Sequence, residues 1–274
     1  MIAVENISAG YDSRPVLRNV TIRVARGDFV GLIGPNGCGK TTLLRVISGV
    51  LAPSEGRIRL KGTDLREIGR RTLARAMACL PQHCSLDLAY TVRELVLMGR
   101  SPHLSRIGGE TKKDFQVAEM AMQLADLSHL ADRLITEVSG GERQRALIAM
   151  CLAQEPEVLL LDEPASHLDI AHQLSILDLI AKLNRLTGMT VVAVFHDLNM
   201  AAEYCQRLFV LNEGRVEASG RPQDVLTAEM IQRVYGATVL IEPNPLSHKP
   251  HLVLAAGMNH DSRQDAELFT PEGC

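Results

Sequence analysis

One stretch decides the fold of this chain: Gly34-Pro35-Asn36-Gly37-Cys38-Gly39-Lys40-Thr41-Thr42. It fits the pattern G-x-x-x-x-G-K-S/T, which is typical of a phosphate-binding loop. A short apolar run, Phe29–Ile33, comes before it and predicts a buried parallel strand. Apolar residues at helical spacing come after it, at Leu43, Leu44, Val46 and Ile47. Strand, glycine-rich turn and helix is the order that such a loop requires.

The chemistry of this loop follows from its backbone and three side chains. Glycines let the chain curl so that successive N–H groups face one anion at a helix N-terminus. Lys40 then reaches the β- and γ-phosphates, Thr41 supplies a hydroxyl to Mg²⁺, and Thr42 hydrogen-bonds the α-phosphate. Cys38 lies inside the loop, so its alkylation should obstruct nucleotide binding. Taken alone, the match also allows a glycine-rich turn without a ligand.

Composition sets broad bounds on the function. The chain has 274 residues, 46% hydrophobic and 22% charged, which is ordinary for a globular protein. Its formal net charge of -3 does not indicate electrostatic binding to nucleic acid. The N-terminus lacks the features of a signal peptide, and no apolar run has the length of a membrane span. We therefore expect a soluble cytoplasmic protein, with its six scattered cysteines reduced.

Periodicity predicts an α/β protein. Strands are expected within 1–26 and at 57–61 and 78–80, and helices from about 86 to 155. In the helical region Thr91 and Glu94 form a capping-box pattern. A second helix, Lys113–Leu124, repeats apolar residues on one face, and these are Phe115, Ala118 and Met122.

Strand character returns at Val158–Leu161 and Thr190–Val194, with a helix over 171–186 between them. This βαβ unit predicts parallel pairing. A hairpin is expected at 208–217, and a single helix over Arg221–Tyr235 that ends at Gly236. From 237 a short strand-and-turn tail is expected to fray toward Cys274.

Polar residues follow three of the predicted strands. Asp162 and Glu163 end one of them, at the sheet edge where ligands bind in open α/β sheets. Asp162 suits Mg²⁺ ligation, and Glu163 suits activation of the attacking water. His196 follows the next strand and can hydrogen-bond a γ-phosphate or position a carboxylate. Gln82 also follows a strand end and can contact Mg²⁺ or the attacking water.

A second small-residue stretch, Val138–Arg145, opens a helix. Ser139 is a suitable N-cap, and the N–H groups that follow it form another candidate anion site. A capped helix without a ligand is the equal alternative. For the remaining histidines no function is predicted, and His167 and His172 are five residues apart, so they do not share a helix face.

These segments occur in a diagnostic order: 34–42, Gln82, VSGGERQR at 138–145, VLLLDEP at 158–164, SHLD at 166–169, and His196. In this order the chain resembles the nucleotide-binding subunit of an ATP-binding-cassette (ABC) transporter over essentially its whole length. Val138 departs conservatively from the leucine that is usual there. The resemblance implies a P-loop NTPase (RecA-like) core with an antiparallel β subdomain. A helical subdomain, about 86–155, would be inserted in an ATPase domain of 1–236, followed by a tail at 237–274.

The resemblance also implies roles for individual residues. Tyr11 would stack on adenine. Ser139, Gly140 and Gly141, with Gln144 grouped beside them, would bind the nucleotide held by the other subunit. Asp169 would link the two sites across a dimer. The residues implied in catalysis are Glu163, His196, Gln82 and Lys40.

Family members work as two such subunits that clamp two ATP molecules and drive a dimeric membrane permease. The resemblance thus implies a homodimer on the cytoplasmic face of the inner membrane, Mg²⁺ and ATP as ligands, an extracytoplasmic substrate-binding protein as an indirect partner, and no nucleic acid. Two segments resemble importers of iron-siderophore complexes, haem and vitamin B12: Leu32–Lys40, with its cysteine, and Leu95–His103. A manganese or zinc importer subunit and a soluble ABC ATPase are the alternatives.

Overall fold

The structure is a computed structural model that describes residues 1–12, 14–82, 90–105, 108–166 and 168–254. The strands in these ranges are β1 (Ile2–Tyr11), β2 (Arg14–Val24), β3 (Phe29–Ile33), β4 (Glu55–Leu60), β5 (Thr63–Asp64), β6 (Met77–Leu80), β7 (Val158–Asp162), β8 (Thr190–Val194), β9 (Arg207–Asn212), β10 (Arg215–Gly220), β11 (Val239–Pro243) and β12 (Pro250–Leu254). The α-helices are α1 (Lys40–Ile47), α2 (Arg70–Ala76), α3 (Val92–Met98), α4 (Lys112–Leu124), α5 (Gly140–Ala153), α6 (Ile170–Thr187), α7 (Leu198–Tyr204), α8 (Pro222–Val225) and α9 (Ala228–Tyr235). Among these helices, none has the length and apolar character needed to cross a bilayer.

The central sheet has the strand order β10-β9-β3-β8-β7-β6. Its neighbouring strands are parallel except for the β9–β10 hairpin, which confirms the predicted parallel pairing of β7 with β8. β3, β7 and β8 are buried along their whole length. Alternate residues enter two separate cores, as the side-chain period of a strand requires: Phe29 and Ile33 join one, and Val30 and Leu32 the other.

A second, antiparallel sheet has the order β2-β1-β4-β5. Its apolar face packs on α1, so that Val4, Leu17 and Leu43 share one core. The predicted strands at 1–26 and 57–61 are confirmed here. The sheet therefore lies beside the phosphate-loop helix.

Between β6 and β7 the chain forms α3, α4 and α5, which pack against one another. The predicted capping box of α3 is present, with Thr91 Oγ1 accepting from Glu94 N at 3.2 Å. Of the three apolar residues predicted to share one face of α4, Ala118 and Met122 are buried, whereas Phe115 is 48% exposed. Asp114 is buried on α4 instead, since Arg100 Nε donates to its Oδ1 at 2.9 Å.

The prediction of a single helix over 221–235 was wrong. Thr227 has an extended backbone (φ -114°, ψ 156°) and caps α9, so α8 and α9 are separate helices. Gly236 ends α9 in the left-handed conformation (φ 69°), as predicted. β11 and β12 pair as a hairpin in the predicted tail. Residue 86, His167 and Cys274, all named in the predictions, lie outside the described residues.

Candidate functional site

The loop between β3 and α1 takes a conformation that depends on glycine. At Gly34 φ is 147°, and an added Cβ would lie 2.0 Å from the carbonyl oxygen of Leu211. Lys40 is buried, and its Nζ donates to the carbonyls of Gly34 (2.8 Å) and Pro35 (2.9 Å). The ammonium group is therefore held against the loop, with its charge in the site.

The turn of the β9–β10 hairpin supports this loop from outside, which the sequence alone did not indicate. Gly214 N donates to the carbonyl of Cys38 at 3.2 Å, and Arg18 N donates to the carbonyl of Gly214 at 2.8 Å. The turn thus joins the loop to β2. Burial raises the pKa of the Cys38 thiol, which favours its neutral form.

Asp162 is buried at the carboxyl end of β7. Its burial raises the pKa of the carboxyl, while the neighbouring Thr41 hydroxyl acts in the opposite direction. The Oδ1 atom is buried and makes no hydrogen bond within the described part of the chain. Buried polar atoms normally have a partner, and a carboxylate oxygen beside a hydroxyl fits a hydrated Mg²⁺ ion.

Glu163 follows with a left-handed backbone (φ 54°), which non-glycine residues seldom adopt. Gln82 Nε2 donates to its Oε2 at 2.7 Å, and His196 Nε2 is hydrogen-bonded to its Oε1. Side chains that follow β6, β7 and β8 therefore meet at one carboxylate. Of the contacts predicted for Gln82 and His196, the structure shows the one in which His196 positions a carboxylate, and Gln82 contacts that same group.

The loop and Glu163 face one cavity of about 370 Å³. This volume falls in the usual range for small-molecule sites. The cavity is lined by Val16, Asn36, Gly37, Gly39, Lys40, Thr41, Thr42, Gln82, Glu163 and His196. It brings together predicted residues from four separate parts of the sequence: the phosphate loop, Gln82, Glu163 and His196.

Tyr11, predicted to stack on a base, ends β1 and is partly exposed. Its hydroxyl accepts a hydrogen bond from Arg45 Nη1 at 3.0 Å. Tyr11 and Val16 line a neighbouring pocket, and Val16 also lines the cavity of the phosphate loop. The aromatic ring is therefore beside the loop cavity and open to solvent.

Ser139–Gly141, Gln144 and Asp169 are not among the residues that line the cavity. Ser139 caps α5 in a capping box, as its Oγ accepts from Glu142 N at 3.3 Å and its N donates to Glu142 Oε2 at 2.8 Å. Gln144 Nε2 donates to the carbonyl of Pro164 at 2.7 Å. Ser139, Gly140 and Asp169 are exposed. One chain therefore holds two separate groups of predicted site residues.

Sequence reasoning gave no function to His172. Its Nδ1 lies 2.7 Å from Oδ1 of Asp169, which also accepts from the His172 backbone N at 2.9 Å. These hydrogen bonds lower the pKa of Asp169. An Asp that caps a helix with a His three residues later is the sequence signal that could have identified the pair.

Comparisons with known proteins give one consistent result. A sequence profile of the ABC transporter family matches residues 17–166. The ferric enterobactin transport ATP-binding protein FepC of Escherichia coli K12 is 42% identical over 91% of this chain and 92% of its own. The petrobactin import ATP-binding protein FpuC of Bacillus anthracis is 43% identical over 87% and 88%. A solved ABC transporter, described as of the metal-chelate type and inward-facing, superposes with a TM-score of 0.81 at 32% identity, covering 92% of this chain and 96% of that one.

Proposed function

Since this chain belongs to the ABC transporter family of ATP-binding proteins, we propose that it is the ATP-hydrolysing subunit of an importer for a metal chelate. The support is the similarity to FepC and FpuC, which by name serve ferric enterobactin and petrobactin, over more than four fifths of each chain. Iron-siderophore, haem and cobalamin complexes are the cargo class that we propose.

One observation carries the catalytic part of the proposal: Lys40, Thr41 and Glu163 line the same cavity, and the buried carboxyl of Asp162 lies beside the Thr41 hydroxyl. Lys40 neutralises charge on the β- and γ-phosphates. Asp162 and Thr41 would hold Mg²⁺, which neutralises phosphate charge when it is bound. Glu163 accepts the proton of the attacking water, and Gln82 and His196 orient its carboxylate. The water oxygen bonds to the γ-phosphorus as the bond from that phosphorus to the β–γ bridging oxygen breaks, and ADP and phosphate are released.

We propose further that two copies of the chain pair face to face. Ser139, Gly140 and Asp169 are exposed and lie apart from the cavity of their own chain, so a second copy is needed to bring such residues to the γ-phosphate. Gly141 and Gln144 belong to the same helix start and support that surface. Tyr11 would stack on the adenine ring.

The remaining assignments follow from the family. We propose an ATPase domain of 1–236, with the helical segment of about 86–155 as an inserted subdomain, and a tail from 237. The pair would bind a dimeric permease at the cytoplasmic face of the membrane. A substrate-binding protein on the other side would deliver the chelate. ATP closes the pair, and hydrolysis reopens it to drive transport.

Reconstitution tests this function directly. The subunit is combined in liposomes with permeases and binding proteins of chelate importers, and ATP-dependent uptake of a ferric siderophore, haem or cobalamin is measured. We expect one chelate system to show uptake and raised ATP turnover, and the Glu163→Gln variant to show neither. If a manganese or zinc permease stimulates turnover and no chelate permease does, the proposed cargo class is wrong.

A further inference from the structure

Gly141 is enclosed by its own chain, although its neighbours are open to solvent. Ser139 and Gly140 are exposed, whereas Gly141 is buried. A Cβ built on Gly141 would lie 2.2 Å from Cδ2 and 2.9 Å from Cγ of His172. Gly141 is in the first turn of α5 and has no left-handed backbone. Glycine is therefore needed here for space, and the space is taken by the imidazole ring.

The imidazole ring cannot turn aside freely. Its Nδ1 is 2.7 Å from Asp169 Oδ1, and the same oxygen caps α6 by accepting from the His172 backbone N. Rotation of the ring away from Gly141 would break the side-chain hydrogen bond. Asp169, His172 and Gly141 are thus interlocked.

A second contact joins the same two segments. Gln144 Nε2 donates to the carbonyl of Pro164, which follows Glu163. The start of α5 is therefore fixed at two points to the segment that runs from Pro164 into the first turn of α6. Both segments carry exposed residues. Ser139 and Gly140 are exposed at the start of α5, and in the other segment the side chain of Asp169 is 66% exposed and that of His172 is 41% exposed.

From this geometry we propose that His172 is a positioning residue that transmits the position of Asp169 to Gly141. A displacement of Asp169 moves the ring that bears on the first turn of α5, so the two exposed segments shift together within one subunit. The inference rests on the proposed function, in which both segments meet a partner subunit. It adds that they are mechanically joined before that partner arrives.

A double-mutant cycle tests the contact. Gly141→Ala, His172→Ala and the double variant are compared for ATP turnover and nucleotide affinity. We expect Gly141→Ala to lower kcat in the wild-type background. In the His172→Ala background the fold-decrease in kcat should be smaller, by about fivefold or more, because the effects of substitutions at residues in contact are not additive. Nucleotide affinity of the isolated subunit should stay unchanged, since the Lys40 loop is not involved.

Two matched controls test whether the cost of Gly141→Ala arises from contact with the His172 ring. His172→Phe keeps a ring against Gly141, so it should not relieve the cost of Gly141→Ala. Gly140→Ala would place its Cβ 3.7 Å from Leu168 Cδ2, an ordinary contact, so its cost should be the same in the wild-type and His172→Ala backgrounds. Equal costs of Gly141→Ala in those two backgrounds would overturn the proposal.

Urea unfolding of the same variants keeps the test independent of activity. If the wild-type protein shows no turnover, the proposed function fails, while the coupling between Gly141 and His172 is still measured from their unfolding midpoints. Relief of the Gly141→Ala destabilisation by His172→Ala confirms the interlock. If the changes in unfolding midpoint and the changes in kcat are both additive, His172 transmits no displacement to Gly141 and the proposal is wrong.

Discussion

At the scale of single residues, the adjacent carboxylates of Asp162 and Glu163 have different neighbours. Glu163 and Asp162 are adjacent in sequence, but β7 buries Asp162, and the left-handed backbone of Glu163 directs its side chain to Gln82 and His196. Two hydrogen-bonding partners fix its orientation. Asp162 has a buried oxygen without a partner in the described residues, which suits a cation. These different surroundings support the different roles that we propose for the two acids.

Replacement of Glu163 by Gln tests this division. The amide keeps the shape and hydrogen-bonding capacity of the side chain but accepts no proton, so kcat should fall by on the order of 10²- to 10⁴-fold, the usual worth of a general base. Steady-state turnover and binding of a fluorescent ATP analogue are the measurements. Binding should persist.

Glu217→Gln is a matched control, because this glutamate is on β10 and pairs with Arg233 at the surface. Its turnover should equal that of the wild-type protein. If the Glu163→Gln variant hydrolyses ATP at nearly the wild-type rate, Glu163 is not the general base.

At the scale of elements, the helices are held by caps and by one buried ion pair. Arg100 is fully buried, and its guanidinium donates to Asp114 of α4, to the carbonyl of Ala153 at the end of α5 and to Glu155. The segment Leu95–His103, which marks the resemblance to chelate importers, thus joins three parts of the helical region. Gly99 ends α3 in this segment, and Arg100 after it adds the contacts with α4 and α5.

Acid should weaken the contact between Arg100 and Asp114. Hydrogen bonds from Thr111, with Arg100 adding to them, hold the pKa of Asp114 at about 2, below its ordinary value of 3.8. A lowered pKa in the folded state means that the stabilisation is complete above about pH 5 and is lost as the pH falls through 4 toward 2. Asp114→Asn should cost about 1–3 kcal/mol at pH 7, the range for a buried hydrogen bond to a charged group.

Urea unfolding at several pH values measures this effect. The gap in unfolding free energy between wild type and Asp114→Asn should be constant from pH 7 to 5 and should narrow below pH 4. Asp132→Asn, at an exposed site, should show no comparable loss. A gap that widens on acidification would contradict the assignment.

At the scale of the whole molecule, the residues that we propose for one reaction site lie in two separate groups on the chain. The cavity of the phosphate loop is lined without Ser139 or Asp169, and both of these are exposed. A reaction that needs both groups must join two molecules. Solved relatives include the cassette MJ0796 as a dimer bound to ADP and Pi, with a TM-score of 0.70 at 27% identity, covering 81% of this chain and 99% of that one.

Dilution and one bulky substitution test the pairing. Specific ATP turnover should fall as the wild-type protein is diluted, because the active form is a pair. Ser139→Phe should abolish turnover and leave binding of ATP to the single subunit intact. In the Glu163→Gln background, ATP should produce a dimer on size exclusion, and Ser139→Phe should prevent it. Loss of binding together with turnover, or a rate independent of dilution, would argue against composite sites.

The sequence by itself determined the features that depend on neighbours along the chain. The phosphate loop, the capping box at Thr91, the carboxylates after β7 and the glycine stop at Gly236 each rest on a few adjacent residues. Local backbone preference and short-range hydrogen bonds are sufficient to specify them. The order of the phosphate loop, Gln82, the segments 138–145 and 158–169, and His196 then indicated the family.

Only the tertiary structure decided which distant residues meet. Gln82 and His196 reach Glu163 from 81 and 33 residues away, and Asp114, not Phe115, is buried on α4 because Arg100 lies opposite it. The contact between the ring of His172 and Gly141 also depends on which elements pack together in the folded chain. A hydrophobic period specifies that a face is buried but not what packs against it, and the identity of that neighbour sets the chemistry of each side chain.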